Sequence, residues 1–164
     1  MRIGKIAVGV LLSAWVAFPA RASELELTIV GVRSDEGAVM VGVYDSAEKF
    51  RKAIEKAGNA GHLVDADRMF GATLRARAGD ERIGIALPPG RYGLIVFHDE
   101  NDDGRLDTSM LGVPTEGYGF SNNAMGFLSA PTFDSAAVMV GDKDRSIVIS
   151  LDYPGVAMAG PASR

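Results

Sequence analysis

Asp99, Asn101, Asp103 and Asp107 occupy the first, third, fifth and ninth positions of the stretch DENDDGRLD, and Gly104 occupies the sixth. Oxygen-bearing side chains at alternate positions converge when a backbone curls, and glycine supplies the sharp turn without a Cβ clash. The spacing matches the first nine positions of a calcium loop. Arg105, at position seven, would contribute its backbone carbonyl, so its basic side chain is no obstacle. Position twelve of a helical calcium hand is a bidentate Glu; here it is Met110. Glu116 and Asp102 are the nearest acids able to complete the shell, and Glu116 would tie this loop to the next one. Glu100 and Asp102 alternate with the expected ligands and are expected to point outward. The competing readings are a metal-free polar turn and the edge of an active site.

Two neighbouring features extend the candidate site. His98 lies at the exit of the preceding strand, on the face shared by Tyr92, Leu94 and Val96, where a partly buried, hydrogen-bonded ring is expected. A zinc site would need convergent partners; His62 is the other histidine, and nothing in the spacing joins His98, His62 and Glu116. After the acidic loop, residues 111–134 carry Gly112, Gly117, Gly119 and Gly126 with Pro114 and Pro131. That composition predicts a loop of about twenty residues without regular structure, a length that is often functional. Tyr118, Phe120, Phe127 and Phe133 would pack it onto the body of the protein or present a stacking surface. Asn122 and Asn123 would bond a ligand or cap turns. The candidate ligand-binding residues are thus His98, Tyr118, Phe120, Asn122 and Asn123. No Cys nucleophile, no GxSxG and no phosphate-cradling glycine loop occurs.

The elements that must hold these residues are mostly strands. Leu25, Leu27 and Ile29 alternate with polar residues, and Val39, Val41 and Val43 alternate with Met40, Gly42 and Tyr44. Ser34-Asp35-Glu36-Gly37 between them reads as a hairpin turn. Further strands are expected at Met69–Ala76, around Ile83–Leu87, over Tyr92–His98, at Val138–Val140 and at Ile147–Leu151. Asp45 and Glu48 suggest a capping box, followed by Phe50, Ile54 and Ala57 at helical spacing and a Gly58 stop, so one short helix is expected over about 46–57. Residues 58–68 are expected to be loop. About seven short strands with turn signals between them predict a mainly β protein, a single Ig-like or transthyretin-like antiparallel β-sandwich.

Composition bounds the rest. Arg2 and Lys5, a short apolar run from Ile6 to Phe18, and Ala20-x-Ala22 predict a signal peptide over 1–22, cut after Ala22. The run is too short to span a bilayer, so no transmembrane segment is expected after cleavage. The domain would then be 23–154, with 155–164 a flexible tail. The expected location is the periplasm or the extracellular medium. Cleavage removes Arg2, Lys5 and Arg21, taking Lys+Arg from 17 to 14 against 21 acids, a net charge of about −7 that argues against nucleic acid. The absence of Cys leaves a metal ion as the one crosslink available to an exported fold.

LPPGRYGLIVFHDENDDGRLD, LGVPTEGYGFSNNA and SAPTFDSAAVMV together resemble the secreted bacterial family known as domain of unknown function 2141. The matching positions are His98, Asp99, Asn101, Asp103, Gly104, Asp107, Pro114 and Glu116 through Asn122. The resemblance implies an exported domain of about 140 residues and brings no activity with it. The L-P-P-G-x-Y strand is also similar to transthyretin-like and carboxypeptidase-regulatory-like sandwiches, a likeness that bears on fold alone. The expected function is a non-enzymatic binding module for an envelope or extracellular ligand, with calcium ordering the loops. The alternatives are an envelope enzyme using His98 and Glu116, and a metal-free structural or partner-binding domain.

Overall fold

The computed structural model describes residues 22–58, 68–126 and 129–154. Among these, eight strands form two sheets. Sheet A has the order β4–β1–β8, from Gly79–Leu87, Ser23–Val32 and Arg145–Ser150; sheet B has the order β3–β2–β5–β6, from Phe70–Arg75, Ala38–Tyr44, Gly90–Asp99 and Gly117–Phe120. The short strand β7, Val138–Val140, pairs with the first residues of β5. Leu25, Leu27, Ile29, Ile85 and Ile149 of sheet A face Val39, Val41, Val43, Leu94 and Val96 of sheet B, and all ten are buried. The period-two pattern in β1 follows from this: its alternate residues face water.

Two expectations about the strands are corrected. The turn at Ser34–Gly37 does not join a hairpin: β1 pairs with β4 and β8, whereas β2 pairs with β3 and β5, so the chain crosses between sheets there. β1 and β8 run parallel, with Leu25 opposite Arg145 and Ile29 opposite Ile149, so the sandwich is not wholly antiparallel. β2 is buried along its whole length. The reason is a second apolar layer on the outside of sheet B. Helix α1, Ala47–Gly58, brings Phe50, Ala53 and Ala57 onto Met40, Tyr44, Ile95, Phe97 and Phe120. Phe133 and Ala136 of the one-turn helix α2, Phe133–Ala136, join them. The Phe50 ring meets Tyr44, Phe120 and Phe133 at centroid distances of 6.2, 6.1 and 5.9 Å, in edge-to-face or tilted contacts.

The helix starts one residue later than its sequence suggests. Lys49 N–H reaches Ser46 Oγ at 3.4 Å and Phe50 N–H reaches Ser46 O at 3.0 Å, so Ser46 caps it. Asp45 instead pairs with Lys49 Nζ at 2.9 Å. The stretch 111–134 also holds more structure than its glycines imply: it contains β6, a 3₁₀ turn at Ser121–Asn123 and the start of α2. Gly117 and Gly119 are strand residues, because a Cβ at either would strike the Tyr153 ring or Ser150 O and Ile149. The chain leaving β8 lies against them, with reciprocal bonds between Tyr118 and Asp152 of 2.9 and 2.8 Å. The leader, the expected loop 58–68 beyond Arg68 and Gly58, His62, Phe127 and the tail 155–164 lie outside the described residues.

Candidate functional site

The acidic loop is wound by its own side chains. Asp99, at the end of β5, is buried; its Oδ1 accepts Asp103 N–H at 3.1 Å and its Oδ2 accepts Gly104 N–H at 2.7 Å. Asn101 Oδ1 accepts the same Asp103 N–H at 3.0 Å, and Asp103 Oδ1 accepts Arg105 N–H at 2.9 Å. These are Asx turns in series, the local bonding that makes Asp and Asn turn-formers. Left-handed φ values at Asp102 (58°) and Gly104 (77°) complete the curl. Asn101 Nδ2 donates to Asp107 Oδ2 at 3.0 Å. Side-chain oxygens of Asp99 and Asn101 therefore share one N–H, and Asp107 touches Asn101, so the first, third and ninth positions of the motif do converge. Among the described residues no group of three or more His, Cys, Asp or Glu is arranged to hold a metal ion. Any cation here would rely on Asn101 and a backbone carbonyl as well as on carboxylates.

Glu116 has a different part from the one its distance from Met110 suggests. It is 5 % exposed, and its two carboxylate oxygens accept Glu100 N–H at 2.8 Å and Asp107 N–H at 2.9 Å. It thus clamps both ends of the acidic loop. Burial pushes its carboxyl above the usual glutamate range; the two N–H donors oppose this, and the charges of Asp107 and Asp99 add to it. Asp99 is raised by burial in the same way, against the pull of Gly104 and Asp103 N–H. Glu100, expected to point outward, is held by both arms of the Arg33 guanidinium, and that hydrogen bond lowers its carboxyl. Asp102 is exposed, as expected.

His98 has no exposed surface, and both ring nitrogens are engaged. Nε2 lies 2.8 Å from Glu36 O; a carbonyl only accepts, so the network assigns the proton to Nε2. Nδ1 then accepts the Tyr153 hydroxyl at 2.9 Å, and Tyr153 Oη accepts Arg33 N–H at 3.2 Å. The Arg33 guanidinium stacks 4.5 Å above the Tyr153 ring. His98 therefore belongs to a buried clasp, with no nitrogen left for a ligand. Asn122 and Asn123 are clips of the same kind. Asn122 Nδ2 donates to Ser135 O and Ala137 O, and Asn123 Oδ1 accepts Ser150 N–H.

Tyr118 and Phe120 are the candidate ligand-binding residues that reach a cavity, one of about 450 Å³ outside sheet B. Ile54 and Ala57 of α1, Ile95 of β5, Leu106, Val113, Pro114, Met125 and Pro131 also line it, and none of its lining residues is charged. Leu106 is the eighth residue of the acidic motif, so one wall of the cavity is carried by that loop. Beyond it the chain folds back: Thr108 bridges Pro114, Thr115 N–H reaches Asp107 O at 2.9 Å, and Met110 and Leu111 stand fully exposed at the tip. Residues assigned no part in the site from the sequence are Arg33, Gly37 and Tyr153. A Cβ on Gly37, whose φ is +67°, would collide with Asp99 O, so this glycine seats the start of the acidic loop. Tyr153, an aromatic just past the last strand and before Pro154, was the signal available for the clasp.

Comparison with curated proteins and with solved structures finds no match to either. Among the described residues no helix is long and apolar enough to cross a membrane. A family model does match, over residues 27–148, which take in the clamp and the cavity wall and stop short of Tyr153; the chain belongs to the family of uncharacterised proteins conserved in bacteria, DUF2141.

Proposed function

We propose that this chain is an exported, non-catalytic binding module in which the Asp99–Asp107 loop takes a calcium ion and the adjoining cavity takes an uncharged, apolar ligand. The observation that carries the reading is the position of Leu106, which belongs to the acidic loop and lines the cavity. Ordering the loop therefore sets the shape of the cavity. Asp99, Asn101, Asp103, Asp107 and the Arg105 carbonyl would hold the ion. The donors are all hard oxygens, the chemistry calcium prefers. Glu116 acts through the backbone it clamps rather than as a ligand. The cavity's size falls in the range of small-molecule sites, and its lack of charge selects against charged solutes.

The test is a pair of titrations on purified protein. Calcium at a hundred times its dissociation constant should stabilise the fold by about 2.7 kcal/mol, and Asp103→Ala should lose that response while still folding. An uncharged fluorescent probe such as N-phenyl-1-naphthylamine should bind more tightly with calcium than with chelator. Unfolding curves identical in chelator and in excess calcium refute the metal; probe fluorescence unaffected by Phe120→Ser refutes the cavity.

A further inference from the structure

Large apolar side chains stand exposed mainly in one place, around the turn between the acidic loop and β6. Among the described residues there are seven of them, and four, Met110, Leu111, Val113 and Met125, lie on this turn or on the mouth of the adjoining cavity. Met110 and Leu111 are 105 % and 89 % exposed, so neither packs against the body of the protein. No residue from Thr108 to Thr115 carries a charge. The two charges that flank this segment are engaged behind it: Asp107 accepts Asn101 Nδ2, and the buried Glu116 carboxylate takes Glu100 and Asp107 N–H. The turn also satisfies its own polar groups. Ser109 N–H reaches Val113 O at 2.7 Å, Gly112 N–H reaches Ser109 O at 2.8 Å, and Val113 N–H reaches Ser109 Oγ at 3.2 Å. The bridge between Thr108 and Pro114 closes its neck.

We propose that the turn Ser109–Val113 is a docking finger for a lipid surface: Met110 and Leu111 enter the face of a zwitterionic phospholipid membrane, and the mouth of the cavity is held against it. Two aliphatic side chains standing in water gain by leaving it. A bilayer interior offers no hydrogen bonds, so a segment that enters must be uncharged and must supply its own partners, as this turn does. A protein partner asks for the reverse. Such interfaces carry about one hydrogen bond per 100–200 Å² and are anchored by Trp, Tyr or Arg, and none of these occurs between Thr108 and Thr115. The chain's net charge of −4 disfavours an anionic surface, which leaves zwitterionic headgroups as the partner. With two side chains at its tip, the finger reaches the boundary between headgroups and acyl chains and goes no deeper. The docking goes beyond the ligand site proposed above and does not depend on the cavity being filled.

The test uses the protein recovered from the envelope fraction of a bacterial host and vesicles of phosphatidylcholine, in chelator so that no cation bridges the two. The chain has no Cys, so Leu111→Cys carries a single environment-sensitive fluorophore. Its emission should shift to the blue when vesicles are added. The same fluorophore at Val148→Cys, on the outer face of sheet A across the sandwich, should not respond. In flotation, Met110→Ser/Leu111→Ser should partition into the vesicles about tenfold or more weakly than wild type. Both side chains are fully exposed, so the double variant should melt like wild type and take N-phenyl-1-naphthylamine from solution like wild type. That probe tests the cavity, and the vesicles test the turn. Four results overturn the proposal: emission at position 111 unmoved by vesicles, equal partitioning of variant and wild type, binding that requires anionic phosphatidylglycerol, or a blue shift that grows with protein concentration in the absence of lipid.

Discussion

Replacing Glu116 by Gln preserves the side chain's length and removes one acceptor. The carboxylate now takes N–H bonds from Glu100 and from Asp107, one on each oxygen. An amide offers one oxygen and one NH₂, so one of those N–H groups would face a donor. A hydrogen bond to a charged group contributes roughly 1.5–3 kcal/mol, and part of its loss is offset because a neutral amide is less costly to bury than a carboxylate. The net destabilisation at pH 7 should be about 1–2 kcal/mol, or several degrees in melting temperature. Hydrogen exchange should localise it, with protection lost at the amide of Glu100 or of Asp107. The pH dependence has a definite sign. Glu116 and Asp99 are raised in the folded protein, so the fold holds a proton that the unfolded chain has released. Their contribution is full below the ordinary carboxylate value of about 4 and is lost as pH climbs through the folded values. The gap between wild type and Glu116→Gln should therefore widen on acidification from pH 7 towards the folded value of Glu116. Glu100, lowered by Arg33, works in the opposite sense at still lower pH. Equal melting temperatures at pH 7, with unchanged exchange at both amides, would refute the clamp.

Tyr153→Phe should cost about 1–3 kcal/mol, because it leaves His98 Nδ1 buried without a donor; calorimetry would measure this, and the ring's NMR tautomer signature should shift with it. Gly37→Ala should cost roughly 2–4 kcal/mol in urea unfolding, from a left-handed φ and a collision with Asp99 O, whereas Gly79→Ala, with open space around it, should bear only the backbone term. Ser121→Ala should lower stability by about 2–4 kcal/mol, since its buried hydroxyl accepts Leu94 N–H and donates to Ala136 O; a loss below about 0.5 kcal/mol in chemical denaturation would contradict that accounting.

The strands were legible because sheet faces impose a period of two, and β1, β5 and β8 each bury alternate residues in the shared core. Their pairing was less so. The turn at Ser34–Gly37 has hairpin composition, yet Gly37 is there to pass beneath the backbone of Asp99, a contact between residues far apart in sequence. Gly117 and Gly119 carry the same ambiguity, since a glycine that makes room for Tyr153 reads like one that breaks a strand. The Asx turns of the acidic loop are local, which is why the alternation of Asp99, Asn101 and Asp103 was informative. The uses made of Glu116, Asn122 and Asn123 depend on distant backbone groups, and composition does not record which amide a side chain will meet.

The middle position of β1 in its sheet bears on when the protein can exist at all. Its two neighbours are β4 and the last strand, β8, each aligned with it over most of its length. A ribosome or a translocation pore delivers β1 first and β8 last. The first strand must therefore wait, one of its edges unpaired, until nearly the whole chain is present. Assembly is an event of completion rather than of gradual growth, and the long sequence separation of the pairing makes it a slow one.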